Sequence, residues 1–330
     1  MGVAAAPGCQ RVKPPSYRGP RLPLNAAAGK RTTVVYNRLL ARGKAERNNA
    51  AMHMSREQFM DWPNKAITLL GMSGVGKTTL ANKLPKESWF HYSGDYRIGT
   101  KYLQEPILDN VKRQAMRVPF LRDLLRSDSI YLANNITVTN LEPVSKFLGK
   151  LGSAKLSGLP LDEFKRRQRL HMHAEIETMK DVAEFIEKTH DIYGYQHFIN
   201  DAGGSICSLP DTDVLRVLTE NTLIVYLKAG PEMEEELIRR AIAQPKPMFY
   251  DADFLDEKLN EYLGQQRIAS VDEMDPERFS QWIFPLLVNY RKPLYQALAD
   301  EHGYSVGAKD AAQVNDESDF LELIAETLAR

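Results

Sequence analysis

Cysteine is almost missing from this chain: Cys9 and Cys207 are the only two among 330 residues. They are too few for a disulfide framework and too far apart for a metal-ligand spacing, so a reduced compartment, the cytoplasm, is expected. No run approaches the ~18 apolar residues that a bilayer span needs, so no membrane segment is expected. Acidic residues are scarce in one place. Residues 1–50 hold ten Lys/Arg against a single acid, Glu46, which leaves 33 basic and 42 acidic residues in 51–330. A mildly acidic body of this kind offers no nucleic-acid surface. The N-K-x-D guanine-reading pattern is absent as well, so a preference for GTP has no support.

Residues 1–53 are rich in proline, alanine and arginine, and they lack apolar periodicity. Such a segment cannot bury enough surface to offset chain entropy. Three readings stay open: a disordered basic tail, a start assigned upstream of Met52 or Met54, or an Arg-rich organellar transit peptide. The globular reading begins at residue 54 and runs to 330.

From there, apolar runs alternate with helical patterns. Ile67–Leu70 reads as a buried strand, and Lys77–Leu84 as a helix stopped before Pro85. "SWFHYSGD" reads as a second strand ending near Ser93-Gly94-Asp95. A mainly helical stretch follows at about 100–190, with a long amphipathic helix from near Pro160. "QHFIND" gives a third strand ending at Asp201, and "NTLIVYLKAG" a fourth. Helices are expected over "EMEEELIRRAIAQ", "DADFLDEKLNEYLGQQ" and "QWIFPLLVNYRKPLYQALADEHG". A short strand "YSVGA" and a last helix "DESDFLELIAETLAR" complete the chain. Strands alternating with helices argue for an α/β fold with a parallel sheet.

The most informative stretch is "ITLLGMSGVGKTTLANKL", Ile67–Leu84. It contains G-x-x-x-x-G-K-[ST], the Walker A pattern, between a strand and a helix. Glycines let backbone N–H groups turn inward around phosphate oxygens. Gly71, Ser73, Gly74, Val75, Gly76, Lys77, Thr78 and Thr79 are therefore the candidate ATP-contacting positions. Lys77 brings a positive charge to the β- and γ-phosphates, and the Thr78 hydroxyl is a Mg²⁺ ligand. A random chain of this length shows the pattern roughly one time in a hundred, and the strand–loop–helix context is met. Nucleoside triphosphate binding is the expectation.

Other candidates surround this loop. Asp201, at the end of an apolar run in "FINDAGGS", is placed to hold Mg²⁺ or orient a nucleophile, and Gly203 and Gly204 allow close backbone approach to phosphate or acceptor. Asp95, after the second strand, is a candidate to bind or activate an acceptor, with Arg97 as a clamp for an anionic group. Arg239, Arg240, Lys246 and Arg291 are candidates to neutralise developing charge on the phosphoryl group. His171 and His173 have no third ligand nearby, so a surface or core role is expected. Asn135-Ile136-Thr137 is a glycosylation sequon by pattern only.

Together these motifs resemble the small-molecule P-loop kinases related to shikimate, gluconate and adenylate kinase. "GMSGVGKTTLANKL" is the phosphate loop. "SGDYR" is similar to their second-strand acceptor segment, and "DAGGS" to their glycine-rich acceptor loop. "LIVYLKAGPEMEEELIRR" looks like a fourth strand leading to a lid, and "RKPLYQALAD" like a late helix. The resemblance covers little more than half of the chain. It implies a three-layer P-loop NTPase fold, a five-stranded parallel sheet in order 2-3-1-4-5, ATP and Mg²⁺ as cofactors, and a small-molecule acceptor. Two departures weaken the carry-over. The stretch between "SGDYR" and "DAGGS" is far longer than in shikimate kinases, an insertion that enlarges the acceptor side. The lid has "PKPMFY" where an Arg is usual, so Lys246 would substitute, and Lys is a poorer bidentate clamp. The segments "HYSGDYRIGT" and "NNIT" also resemble those of chains described only as bacterial ATPases. The expected activity is Mg-ATP-dependent phosphoryl transfer to a small molecule. The alternatives are an ATPase coupled to a protein partner or conformational switch, and a nucleotide-binding module without chemistry.

Overall fold

In the computed structural model, which describes residues 54–329, every side chain of the strand Ala66–Leu70 (β1) is buried. Ile67 and Leu69 enter one apolar layer, while Ala66 and Leu70 enter the other. A strand buried on both faces belongs in the middle of a helix-covered sheet. β1 is that strand. Trp89–Ser93 (β2), His197–Asp201 (β3), Leu223–Lys228 (β4) and Gly303–Gly307 (β5) complete a five-stranded sheet in the order β2-β3-β1-β4-β5. All four pairings are parallel. The order is the one expected, and the architecture is the three-layer α/β fold of P-loop proteins. The expectations for residues 1–53 lie outside the described residues.

Arg56–Asp61 (α1) precedes β1, and Lys77–Ala81 (α2) follows the loop after it. Between β2 and β3 lie Gly94–Arg97 (α3), a π-helical turn at Ile98–Tyr102, Gln104–Ala115 (α4), Pro119–Arg126 (α5), Glu142–Leu148 (α6) and Leu161–Asp191 (α7). Thr212–Asn221 (α8) leads into β4. Pro231–Ala243 (α9), Ala252–Gln266 (α10) and Pro276–His302 (α11) lead into β5, and Ala308–Gln313 (α12) and Glu317–Leu328 (α13) close the chain.

On one face of the sheet, Phe59 of α1, Leu80 of α2, and Phe320 and Ile324 of α13 pack on Ile67, Leu69 and Val225. On the other, Met179 and Val182 of α7, Val214 and Leu218 of α8, and Val288 and Tyr295 of α11 pack on Leu70, Phe198 and Tyr226. α7 is the longest element, with 31 residues. It starts right after Pro160, with Asp162 and Glu163 in a first turn that favours negative charge. Its buried stripe runs through Phe164, His171, Thr178 and Val182, a helical spacing.

Register places the functional ends side by side. Asp201 lies opposite Leu69 of β1 and opposite Ser93 of β2. The carboxyl ends of β2, β3 and β1 thus meet at one edge, where ligands of open α/β sheets bind.

Four details differ from the sequence reading. β2 stops at Ser93, so Gly94 and Asp95 open a helix instead of ending a strand; the Ser93 hydroxyl caps it by accepting from the Tyr96 amide. α2 ends at Ala81, four residues before Pro85. α11 starts at Pro276, ahead of Gln281, because Asp275 caps the Glu277 and Arg278 amides. Helices α1, α8 and α12 had no sequence expectation. Among the described residues, no helix is long and apolar enough to cross a membrane.

Candidate functional site

The loop after β1 is shaped by backbone that only glycine adopts readily. Gly76 has φ +111°, and Gly71 has φ +145° with room for no side chain: a Cβ there would sit 2.9 Å from the Leu227 carbonyl oxygen. Lys77 is 7% exposed, and its ammonium folds back into this loop. It donates to the carbonyls of Gly71 (2.8 Å) and Met72 (3.3 Å). Burial lowers its pKa, while Asp201, Asp95 and Glu175 act the other way. Val75 is buried and anchors the loop to the core, whereas Ser73, Thr78 and Thr79 are exposed.

Asp201 reaches the loop from the tip of β3. The Thr78 hydroxyl donates to its Oδ2 at 2.5 Å, and His91 Nε2 of β2 stands 3.6 Å from the same oxygen. The chain then passes over the phosphate loop: a Cβ on Gly204 would meet the Ser73 amide nitrogen at 3.1 Å. A Cβ on Gly94 would lie 3.3 Å from the Asp201 carbonyl oxygen and 3.4 Å from the Gly203 amide. These close approaches need small residues and bring Asp95 beside Asp201. Surrounding protein, then the like charges of Asp201 and Glu175, raise the Asp95 carboxyl above its ordinary range. Solvent reaches the Asp95 side chain and moderates that shift.

Two buried ionisable side chains brace the segment Asp201–Ser205 from behind. Glu175 of α7 is fully buried and accepts from the Ser205 hydroxyl at 2.5 Å. Burial raises its pKa, opposed by the Ser205 bond and by Arg291. Arg291 of α11, 1% exposed, donates to the carbonyls of Gly204 (2.8 Å) and Phe249 (2.9 Å). His171, one turn before Glu175, stacks on Phe249 with ring centroids 5.6 Å apart. Burial holds its pKa down to about 4, so it is neutral at pH 7.

The fold therefore gathers the phosphate loop, Asp95, Asp201, Gly203 and Gly204 at one cleft, while Arg291, expected to neutralise charge on the phosphoryl group, is buried behind it with its guanidinium on the Gly204 and Phe249 carbonyls. Arg97 is turned to α7, where it pairs with Asp181 at 2.8 Å and lies over the Phe185 ring. Arg239 and Arg240 are exposed on α9 and pair with Glu236 of the same helix. Lys246 is exposed in the segment after α9. His173 and Asn135 are also exposed. Glu175, Ser205 and His91 had no sequence expectation. The one available signal was a carboxylate four residues after His171, on a stripe of α7 that is otherwise mostly uncharged.

A second hollow of about 470 Å³ opens at the ends of β4 and β5, lined by Lys228, Gly230, Pro231, Lys292, Gly307 and Lys309 among others.

No protein-family model matches this chain, and no curated protein matches it. Among solved structures it is similar to a shikimate kinase from Bacteroides thetaiotaomicron, with 15% identity and a TM-score of 0.33, over 79% of this chain and 95% of that chain.

Proposed function

We propose that the protein binds Mg-ATP and transfers its γ-phosphoryl group to a hydroxyl of a small-molecule acceptor. The observation that carries this reading is the contact between Thr78 and Asp201 at 2.5 Å, with Gly94, the residue before Asp95, packed against the Asp201 carbonyl. A hydroxyl and a carboxylate at that spacing, next to a glycine cradle, are the hard oxygen ligands Mg²⁺ takes in phosphate sites. Thr78 and Asp201 would hold Mg²⁺, which when bound would supply positive charge to the group in transfer.

Phosphoryl transfer asks a protein mainly for positioning and electrostatic stabilisation. The amides of 71–78 would hold the phosphates, and Lys77 would exchange its two carbonyl partners for phosphate oxygens. Gly203 and Gly204 form the surface over which the γ-phosphoryl end passes. Asp95 would accept a hydrogen bond from the acceptor hydroxyl and align it for in-line attack. Arg291 acts through Gly204 and positions the loop. Arg240 follows Leu237 by three residues, on the side of α9 that meets Gly74 of the phosphate loop. Of the two α9 arginines, it would be the one to approach the transferring group. The hollow at the ends of β4 and β5 is the natural seat for the nucleoside.

The test is ATP consumption by the full chain with Mg²⁺, alone and against a panel of small hydroxyl compounds. Slow basal hydrolysis that one acceptor raises by orders of magnitude, with a phosphorylated product, is the expected result. Steady hydrolysis that no acceptor alters would replace this reading with the partner-coupled ATPase. Lys77→Ala should lower turnover at least ~100-fold, as loss of a single electrostatic donor does elsewhere.

A further inference from the structure

One side chain at the Thr78–Asp201 contact leaves its polar group unused. His91 of β2 stands in register with Ile199, two residues before Asp201, and alternate residues of a strand share a face. His91 and Asp201 are therefore diagonal neighbours on one side of the sheet. It is the side on which Leu69, opposite Asp201, packs with Leu80 of α2. His91 Nε2 thereby comes to 3.6 Å from Asp201 Oδ2, the oxygen that accepts from the Thr78 hydroxyl.

That distance is beyond the ~3.2 Å limit of an N–H···O hydrogen bond. Nε2 is nevertheless buried, and it has no hydrogen-bond partner. Leaving it unpaired costs stability, a cost that a bond made in another state would explain. An unprotonated Nε2 would set its lone pair against the carboxylate, so the ring presents Nε2–H there. Asp201 has room for the bond, because a carboxylate offers about four acceptor sites and Thr78 fills one. A carboxylate held by one hydroxyl can still turn about its Cβ–Cγ bond. A second donor, reaching across from β2, would fix its plane.

We propose that His91 is a positioning residue for the metal site, an inference that rests on the Mg²⁺ reading of Thr78 and Asp201. With Mg-nucleotide bound, Nε2–H closes on the Asp201 carboxylate and fixes the orientation in which that group serves Mg²⁺. Outer partners of this kind change metal affinity by roughly 10–100-fold. His91 acts through Asp201 and not on the phosphates.

The test is calorimetry of a non-hydrolysable ATP analogue on the full chain, once with Mg²⁺ and once with a chelator. The ratio of the two affinities is the metal's contribution. His91→Phe keeps a ring and removes the donor. It should shrink that ratio about 10-fold or more, while affinity without Mg²⁺ stays within about twofold of the parent. The unliganded variant should melt no lower than the parent, since Nε2 gives up no hydrogen bond there. An intact ratio would overturn the inference. So would equal loss of both affinities with a lower melting temperature, which would make His91 structural. The parent supplies an independent readout by nitrogen-15 NMR. One histidine ring Nε2–H signal should appear, shifted downfield, with Mg²⁺ and analogue together and not with analogue alone. Absence of that signal would overturn the inference even if His91→Phe fails to fold. A parent that binds the analogue equally with and without Mg²⁺ would overturn the metal reading itself, and the inference with it.

Discussion

Gly203 illustrates how one atom's absence sets the site. Its constraint is crowding: the atom a side chain would strike, Glu175 Oε1, belongs to a fully buried carboxylate tied to Ser205. Gly203→Ala should therefore destabilise the fold by about 1–3 kcal/mol, the usual cost of overpacking. Thermal melting would show it, and the double variant Gly203→Ala/Glu175→Ala should be less destabilised than the two single effects added together. Additive effects would mean that the two residues do not meet. At this scale the sequence was legible where a residue's place at the cleft follows from a linear pattern. Lys77, Thr78 and Asp201 stand in motifs that can be read in one pass. Glu175 and the bracing role of Arg291 could not be read this way, because they depend on which sides of α7 and α11 turn inward.

Strands and long helices were legible because their apolar runs are long compared with their boundaries. β1 and β4 are buried on both faces and read as continuous hydrophobic stretches. α8 escaped because local preference works against it: Val214, Val217 and Thr219 are β-branched, a poor choice for a helix. The helix forms because Asp211 caps the Asp213 and Val214 amides and because Val214 and Leu218, four apart, are buried together. The boundary of α11 has a similar cause. Asp275 accepts from the Glu277 and Arg278 amides at 2.9 and 3.3 Å. Asp275→Ala should lower stability by about 0.5–2 kcal/mol. Affinity for the ATP analogue should stay unchanged, since the cap lies at the opposite end of α11 from β5 and about four turns before Arg291. A variant that melts like the parent would show that this cap contributes nothing.

Across the molecule, buried ionisable groups tie stability to pH. His171 has a folded pKa of about 4 against an ordinary 6.5. Between those values the unfolded chain binds the proton and the folded chain does not, so this residue lowers stability as pH falls from 6.5 to 4. Glu163, held down to about 2 by Arg166, burial notwithstanding, and by Arg167, adds a loss of stability that begins lower, as pH falls through 4.5. His171→Gln should flatten the melting temperature between pH 6.5 and 4 relative to the parent; parallel curves would assign the slope to other groups. The Lys77 contacts have a further consequence. By donating to Gly71 and Met72 the lysine acts as a ligand already in place, tethered at high effective concentration within its own loop. An incoming anion must displace both carbonyls together. Under the proposed function, a chain of phosphates would offer enough oxygens to replace both carbonyls where a single small anion would not, so the resting loop would act as a threshold filter for polyphosphate.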